Sequence, residues 1–300
     1  MNNILIVGTG ALATLFAARL TEAGQRVTIL GTWKEGLAAL RENGARLIDA
    51  NGNERQFEVH ATDAPRECVG ARHALVLVKA WQTERAARQL KECLAEDGLA
   101  VTLQNGLGNY DTLTHNLGLN RVALGSTTTG ATLLDPGLAR AGGEGIISIE
   151  RHQALAPIEA ALRSANFNVH VVDDAQSLVW GKLVVNAAIN PLTALLRVQN
   201  GELLNRPSAR EMMGKLACET AEAARAENIQ LPFDDPIAVA EDVARKTAAN
   251  QSSMLQDVLR NAPTEIDAIC GAVVKAAQKH GIETPANWIC WQLVRALADQ

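Results

Sequence analysis

Three polar residues stand in helical register within an otherwise apolar segment. Lys182, Asn186 and Asn190 are spaced four residues apart, and every residue between them is apolar. Four residues advance a helix by only about 40° beyond a full turn, so the three side chains form one slowly winding stripe. A protonated lysine beside amides can stabilise an oxygen that gains negative charge and donate a proton to it. Spacing alone is equally compatible with a surface lysine and two capping or solvent-facing asparagines. Pro191 is expected to kink or interrupt this helix.

A second pattern, at the start of the chain, predicts a nucleotide site. The apolar run 4–7 indicates a strand, and it is followed by Gly8-Thr9-Gly10-Ala11-Leu12-Ala13, which matches G-x-G-x-x-A. In this pattern the first glycine permits a tight turn, the second lets the backbone approach a pyrophosphate, and the small third residue permits close helix–strand packing. The pyrophosphate then lies at a helix N-terminus, where free N–H groups favour negative charge. We expect residues 8–13 to bind the cofactor; a purely structural turn is the alternative.

The residues after the predicted second strand bear on the choice between NAD and NADP. An acidic residue there would bind the ribose hydroxyls of NAD, but the sequence has Gly31-Thr32-Trp33-Lys34. Thr32 can hydrogen-bond a 2′-phosphate, Lys34 can pair with it, and Trp33 can stack on adenine. Glu35 could face the same site, and Lys34 could instead be a solvated residue at a helix start. We expect NADP (NADPH) as the cofactor.

Alternating strand and helix patterns position these residues. Strands are predicted at residues 4–7, 27–30, 74–78, 99–103, 122–124, 145–150 and 169–172, with helices at 11–23 and 81–94. This alternation predicts a mostly parallel sheet with helices on both faces. Beyond residue 173 the pattern is helical, with amphipathic segments at 208–227, 236–250 and 264–281. We therefore expect a Rossmann-type α/β domain over residues 1–172 and an all-α domain over residues 173–300.

Composition narrows the function classes. The chain has 300 residues, which suggests two domains. A net charge of −5 gives no general attraction to nucleic acid or anionic membrane. The five cysteines form no CxxC pair, and the N-terminus lacks a signal-peptide pattern, so we expect reduced thiols and a cytoplasmic protein. The six histidines show no metal-ligand spacing, and we expect no metal.

Together, these motifs resemble the ketopantoate reductase family, whose fold is 6-phosphogluconate-dehydrogenase-like. The resemblance covers nearly the whole chain and is carried, in order, by GTGALA (8–13), VKAWQ (78–82), QNGLG (104–108), GSTTTGA (125–131), WGKLVVNAAINPLTAL (180–195), NGEL (200–203), NQSSMLQD (250–257), TEID (264–267) and HGIETPAN (280–287). The chain departs from the family where many relatives have an arginine, at about Thr32. Lys34 would take over that role.

The resemblance implies roles for single residues. Lys182 would be the general acid, and the carboxylate of Glu265 would hold its ammonium in place. Asp267 is the alternative carboxylate, and Glu265 could also be a helix N-terminal residue favoured by the helix dipole.

Further residues are expected at the substrate and the cofactor. The expected substrate-binding residues carry amides or a hydroxyl: Asn105, Asn186, Asn190, Asn250 and Ser253. Asn186 and Asn190 could instead order the Lys182 side chain. Asn105 is also expected near the nicotinamide, and Lys79 and Glu265 complete the cofactor site. Asn250 and Ser253 could alternatively be helix caps, and Lys79 a surface loop residue.

The expected function is reduction of 2-dehydropantoate (ketopantoate) to (R)-pantoate by NADPH, a step of pantothenate biosynthesis. One alternative is a dehydrogenase for another 2-hydroxy acid, such as a mandelate-like substrate. Another is a non-catalytic NADP sensor. The expected partner is a small 2-keto acid, with no nucleic acid or membrane; a homodimer is compatible with the long amphipathic helices.

Overall fold

The computed structural model of the protein describes residues 3–49 and 51–298. The chain divides into two compact units. The first comprises Met1–Gln104 and Asn109–Ala175, and the second comprises Asn105–Gly108 and Gln176–Gln300. The short segment Asn105–Gly108, which falls within the expected first domain of residues 1–172, therefore belongs to the second unit.

Strands and helices alternate in the first unit. In chain order they are β1 (Asn3–Val7), α1 (Ala11–Glu22), β2 (Arg26–Leu30), α2 (Lys34–Asn43), β3 (Ala45–Ile48), β4 (Glu54–Phe57), β5 (His60–Thr62), β6 (Ala71–Val76), α3 (Thr83–Cys93), β7 (Leu94–Thr102), α4 (Asn109–Leu117), β8 (Val122–Thr127), β9 (Ala131–Asp135), β10 (Leu138–Ala141), β11 (Ile146–Glu150), α5 (Ala156–Ser164) and β12 (Asn168–Val172). The main sheet has the order β12-β11-β8-β7-β6-β1-β2-β5. Its neighbouring strands are parallel except for the antiparallel pair β8 and β11. The predicted mostly parallel α/β fold is confirmed.

A second, four-stranded sheet, ordered β4-β3-β10-β9, is absent from the sequence-based expectation. Its outer strands β4 and β9 are mostly exposed or half-buried, so they lack the apolar pattern that marks a buried strand. α1 contributes Phe16 and Ala17 to one core cluster that also contains Ile29 of the main sheet and Ala139 of the small one. Because α1 packs against both sheets, the position of its first turn is set by the core on either side.

The second unit consists of helices, as predicted. They are α6 (Ala175–Leu196), α7 (Pro207–Ala226), α8 (Pro236–Lys246), α9 (Ser253–Leu259), α10 (Cys270–Gln278) and α11 (Pro285–Ala298), with a 3-10 turn at Asn200–Leu203. Among the described helices, α6 alone is long and apolar enough to cross a membrane, by length and composition only. In the structure, 67% of the apolar stretch of this helix is buried, which is typical of the core helix of a soluble domain.

Three expected helices differ from the observed ones. α6 runs through Pro191 as one continuous helix, so the expected interruption at that residue is wrong. The segments predicted at 236–250 and 264–281 are shorter, because α8 ends at Lys246 and α10 begins only at Cys270. Residues 266–269 instead form turns, and Ile269 has φ −100 and ψ −95, which is not helical.

One carboxylate in the second unit ties two helices together, and its removal is expected to destabilise the protein. Glu219 on α7 accepts hydrogen bonds from the backbone N–H groups of Ala286 (2.8 Å) and Asn287 (2.9 Å) and from the Asn287 amide (2.9 Å). It thereby satisfies donors at the start of α11 that no intrahelical carbonyl reaches. We expect Glu219→Ala to lower the free energy of unfolding by about 2 kcal/mol, measured by urea denaturation.

The matched control for this prediction is Glu222→Ala. Glu222 lies on the same helix and is exposed, so its loss should change the unfolding free energy by less than about 0.5 kcal/mol. Equal effects of the two substitutions would show that Glu219 does not act as the cap of α11.

Candidate active site

The turn after β1 is built on Gly8. Its φ is +135°, a conformation that side chains rarely adopt, and a Cβ there would lie 3.0 Å from the carbonyl carbon and oxygen of Leu77. The Gly8 N–H donates to the Leu30 carbonyl at 2.8 Å. The first glycine of the motif is thus required by backbone conformation and by close approach to the neighbouring strand.

The space beyond this turn suits a pyrophosphate. Gly10 caps α1 with extended backbone (φ −83, ψ −173), no side chain caps the helix, and its first turn carries no acidic residue. A Cβ at Gly10 would have no atom within 4 Å, whereas Ala13 is fully buried against the core. Ala11 and Leu12 are half-buried at the helix start. Helix N–H groups facing open space form an anion site, so these residues fit the diphosphate of a dinucleotide.

The other predicted cofactor residues of this region follow the ends of the neighbouring strands β1 and β2. The side chain of Thr9 is buried and packs over Gly31, where a Cβ would collide with it. Thr32 and Lys34 are exposed just beyond β2, and Lys34 is the first residue of α2. The half-buried Trp33 ring packs over Gly36 of that helix.

Lys79 lies in the loop after β6 and is half-buried, and its backbone N–H donates to the Gln82 side chain at 3.3 Å. The side chain of Gln104, a residue without a predicted role, holds this loop in place. The Gln104 amide donates to the Val78 carbonyl (3.0 Å) and to the Thr83 hydroxyl (2.7 Å), and Thr83 in turn donates to Asn109 (2.8 Å). A glutamine at a strand end gives no sequence signal for this role, because its partners come from other loops.

Lys182, Glu265 and Asn105 come together in the second unit. Glu265 is only 5% exposed, and its carboxylate accepts a hydrogen bond from the Asn105 amide at 3.1 Å. Lys182 is half-buried on α6. Its burial lowers the pKa of the ammonium from its ordinary value to about 8, while the negative charge of Glu265 opposes that shift. The result is a lysine poised to exchange a proton near neutral pH.

Local backbone geometry explains how Glu265 and Asn105 meet. The Glu265 carbonyl accepts from the N–H groups of Ala268 and Ile269 (both 3.1 Å), which closes a turn before α10. The Leu107 N–H donates to the Ala268 carbonyl at 2.9 Å. Gly106 has φ +80°, and a Cβ there would collide with the Ala268 carbonyl. Glu265 therefore lies in a turn and not in the first turn of a helix.

The alternative carboxylate, Asp267, has other partners. It accepts a hydrogen bond from the Trp291 indole at 2.7 Å and lies 3.9 Å from the Arg295 guanidinium. Its side chain is 64% exposed, so it differs from the buried Glu265 in both burial and partners.

The remaining predicted substrate residues line α6 and the start of α9. Asn186 is half-buried and Asn190 is 7% exposed. Ser253 is the first residue of α9 and half-buried, whereas Asn250 is exposed. The cap of α9 is Ser252, whose hydroxyl accepts from the Leu255 N–H at 3.1 Å, so neither Asn250 nor Ser253 caps this helix.

One more residue belongs with this group. Asn200 is 7% exposed, its amide donates to the Thr247 hydroxyl (2.9 Å), and its backbone N–H donates to the Asn250 carbonyl (3.0 Å). Its side-chain oxygen is buried without a hydrogen-bond partner in the described structure. A buried unpaired acceptor is costly, and a ligand donor would satisfy it. Asn200 begins the NGEL segment (200–203), but no sequence pattern indicates a role for its side chain.

Comparison with known proteins follows the same two-part division. Residues 4–154 match the family described as Ketopantoate reductase PanE/ApbA, and residues 174–298 match its C-terminal part. A 2-dehydropantoate 2-reductase of Halobacterium salinarum is 33% identical over 99% of this chain and 96% of its own, and one of Archaeoglobus fulgidus is 34% identical over 99% and 98%.

Solved structures agree in fold. A PanE/ApbA family ketopantoate reductase from Ralstonia eutropha JMP134 has a TM-score of 0.92 at 31% identity, covering 99% of this chain and 98% of its own. A ternary structure of D-mandelate dehydrogenase with NADH and anilino(oxo)acetate has a TM-score of 0.93 at 26% identity, with the same coverage.

Proposed function

Because the chain belongs to the ketopantoate reductase family, a family of oxidoreductases, we propose that it reduces 2-dehydropantoate to (R)-pantoate with NADPH, the reductive step of pantothenate biosynthesis. The observation that carries the proposal is the pairing of Lys182, whose pKa burial lowers to about 8, with the buried carboxylate of Glu265. The curated relatives named 2-dehydropantoate 2-reductase support the substrate.

A bound dihydronicotinamide would supply the hydride that adds to the keto carbon of the substrate. The residues fitted to hold the dinucleotide are those of the first turn of α1, with Thr32, Lys34 and Lys79 at the neighbouring strand ends. Gly10 leaves open space at the start of α1, where the free N–H groups of the first turn would bind the diphosphate.

Lys182 is the proposed proton donor. When the keto carbon accepts a hydride, negative charge develops on the keto oxygen, and an ammonium can stabilise that charge and then donate its proton. The charge of Glu265 favours the ammonium form against the effect of burial. The Asn105 amide holds the Glu265 carboxylate in place, at 3.1 Å.

The polar groups along α6 and at the start of α9 are the proposed substrate contacts. Asn186 and Asn190 extend the stripe that begins at Lys182, and Ser253 supplies a hydroxyl at the first turn of α9. The unpartnered oxygen of Asn200 is an acceptor suited to a substrate hydroxyl.

The proposed role of Lys182 predicts a pH dependence. Reduction requires the ammonium form, so kcat/KM should be constant below about pH 7 and fall roughly tenfold per pH unit above its pKa of about 8. Glu265→Gln removes the charge that raises this pKa, so the break should move to lower pH. A pH–rate profile measures both; a break that stays in place in Glu265→Gln would contradict the electrostatic coupling.

Nucleotide preference gives a separate prediction. We propose NADP because Thr32 and the Lys34 ammonium are exposed beyond β2, with Lys34 at the start of α2. Lys34→Ala should raise the KM for NADPH by roughly fivefold or more and leave the KM for NADH unchanged, since one phosphate contact is lost. Lys91→Ala, an exposed lysine in the last turn of α3, should change neither value. Equal effects on NADPH and NADH would argue against contact with the 2′-phosphate.

A second candidate is a dehydrogenase for another 2-hydroxy acid. It is favoured by the likeness to D-mandelate dehydrogenase, which was solved with NADH and anilino(oxo)acetate. The deciding experiment follows NADPH or NADH oxidation with ketopantoate, phenylglyoxylate and pyruvate as substrates. The proposal requires the highest kcat/KM for ketopantoate with NADPH. Turnover only of phenylglyoxylate would favour the second candidate, and cofactor binding without any turnover would indicate a sensor.

We further propose a cytoplasmic setting, in keeping with the free cysteines.

A further inference from the structure

We propose that Thr193 is a positioning residue for substrate binding: its buried hydroxyl sets the distance between the Asn190 turn of α6 and the first turn of α9. The inference rests on the proposed function, in which both segments contact the substrate. Thr193 is fully buried and was not selected by any sequence motif for this role.

The Thr193 hydroxyl lies among three oxygens. It is 3.0 Å from the Ile189 carbonyl, 3.0 Å from the Asn190 carbonyl and 2.7 Å from the Ser252 hydroxyl. Ser252 is 6% exposed.

Proton counting assigns a direction to each bond. A hydroxyl has one proton, and a carbonyl oxygen can only accept. All three contacts are satisfied together when the Thr193 proton is shared between the carbonyls of its own helix and Ser252 donates its proton to Thr193. The Leu255 N–H donates to Ser252 at 3.1 Å, which completes a chain from the start of α9 to the Asn190 carbonyl. Loss of the threonine hydroxyl would leave the buried Ser252 proton without this acceptor.

The location of this series of hydrogen bonds explains why it should affect substrate binding. Pro191 has no N–H, so α6 lacks one of its own backbone hydrogen bonds in the turn that carries Asn190. On the other side of Ser252, the Asn250 carbonyl accepts from the Asn200 N–H at 3.0 Å. Thr193 and Asn200 thus hold the two ends of the segment 250–253, and Ser253 directly follows the residue that Thr193 binds.

This arrangement predicts a defect in substrate binding and not in proton transfer. If Ser253 and Asn250 lose their position relative to Asn190, contacts made equally in the ground state and the transition state weaken, which raises KM and leaves kcat nearly unchanged. Lys182 lies about two turns away from Asn190 along α6.

The test compares three variants in steady-state kinetics with ketopantoate and NADPH. Thr193→Val keeps the shape and removes the hydroxyl; we expect the KM for ketopantoate to rise on the order of tenfold, with kcat within twofold and NADPH affinity unchanged. Thr193→Ser restores the hydroxyl and should recover most of the KM. Thr220→Val is the matched control, because Thr220 is equally buried and its hydroxyl donates only to the Leu216 carbonyl (2.8 Å) of its own helix.

The inference would be overturned if the KM for ketopantoate were the same in Thr193→Val and Thr220→Val. It would also be overturned if Thr193→Val lowered kcat and left KM unchanged. If Thr193→Val does not fold, Ser252→Ala tests the same hydrogen bond from its other partner. Its control is Asp235→Ala, which likewise removes a helix cap, that of α8, with its bonds of 2.9 and 3.0 Å. The inference then requires the KM for ketopantoate to rise in Ser252→Ala but not in Asp235→Ala. A wild-type protein without keto-acid reductase activity would instead overturn the proposed function, and is recognised before any variant is compared.

Discussion

Lys182→Ala is expected to lower kcat/KM for keto-acid reduction by roughly 10⁴-fold, the largest effect of any single substitution considered. The variant loses both the stabilisation of the developing oxyanion and the proton that neutralises it, effects of about 10²–10³-fold and 10²–10⁴-fold when each is removed alone. They overlap, because one group provides both. NADPH affinity, measured by fluorescence titration, should be unchanged within about threefold. The rate of keto-acid reduction is measured as the loss of NADPH absorbance at saturating NADPH.

The matched control is Lys279→Ala. Lys279 is an exposed lysine of the same unit, 3.2 Å from Glu227, and its loss should leave kcat/KM unchanged. Glu265→Gln combined with Lys182→Ala should be hardly slower than Lys182→Ala alone, because the carboxylate acts through the lysine. Turnover within tenfold of wild type in Lys182→Ala would remove this lysine from the mechanism, and the proton would have to come from water.

Gly10→Val is expected to abolish cofactor binding while leaving the fold intact. The extended backbone of Gly10 (φ −83) suits a β-branched residue, and the space beyond its Cα is open, with no atom within 4 Å of a Cβ. The valine side chain would occupy the place of the diphosphate at the start of α1. Loss of several charge-assisted hydrogen bonds of about 1.5–3 kcal/mol each predicts a Kd for NADPH raised at least 100-fold. Isothermal titration calorimetry measures the Kd, and thermal unfolding without ligand measures the stability.

Two glycine substitutions separate binding from folding. Gly214→Ala on α7 introduces a methyl 3.5 Å from Ile237, an ordinary contact, and should change neither Kd nor stability by much. Gly8→Ala forces a side chain into φ +135° against the Leu77 carbonyl and should lower the melting temperature. A Gly10→Val variant that binds NADPH normally would show that the open space at Gly10 is not the diphosphate site, and one that unfolds would show that this space is not open.

Local sequence patterns were sufficient for much of the fold and for part of the site. Residues 4–13 and 27–30 correctly predicted the strand, turn and helix of the proposed nucleotide site, because a glycine turn and apolar periodicity report backbone conformation directly. The small sheet of β3, β4, β9 and β10 had no such signal, since its outer strands are largely exposed. The predicted helix over 264–281 failed at its start because Ala268 and Ile269 bond back to Glu265 in a turn, and periodicity does not detect a turn followed by a helix.

The sequence by itself determined which chemical groups this protein has and where along the chain they stand: the glycines at 8 and 10, the polar stripe of Lys182, and the carboxylate at 265. Only the tertiary structure decided which of them meet. It placed Asn105 against Glu265, brought Ser252 to Thr193, and left the Asn200 oxygen buried without a partner. The physical reason is that periodicity and turn chemistry act over a few residues, whereas burial, the lowered pKa of Lys182 and these hydrogen bonds arise between segments that chain packing brings together.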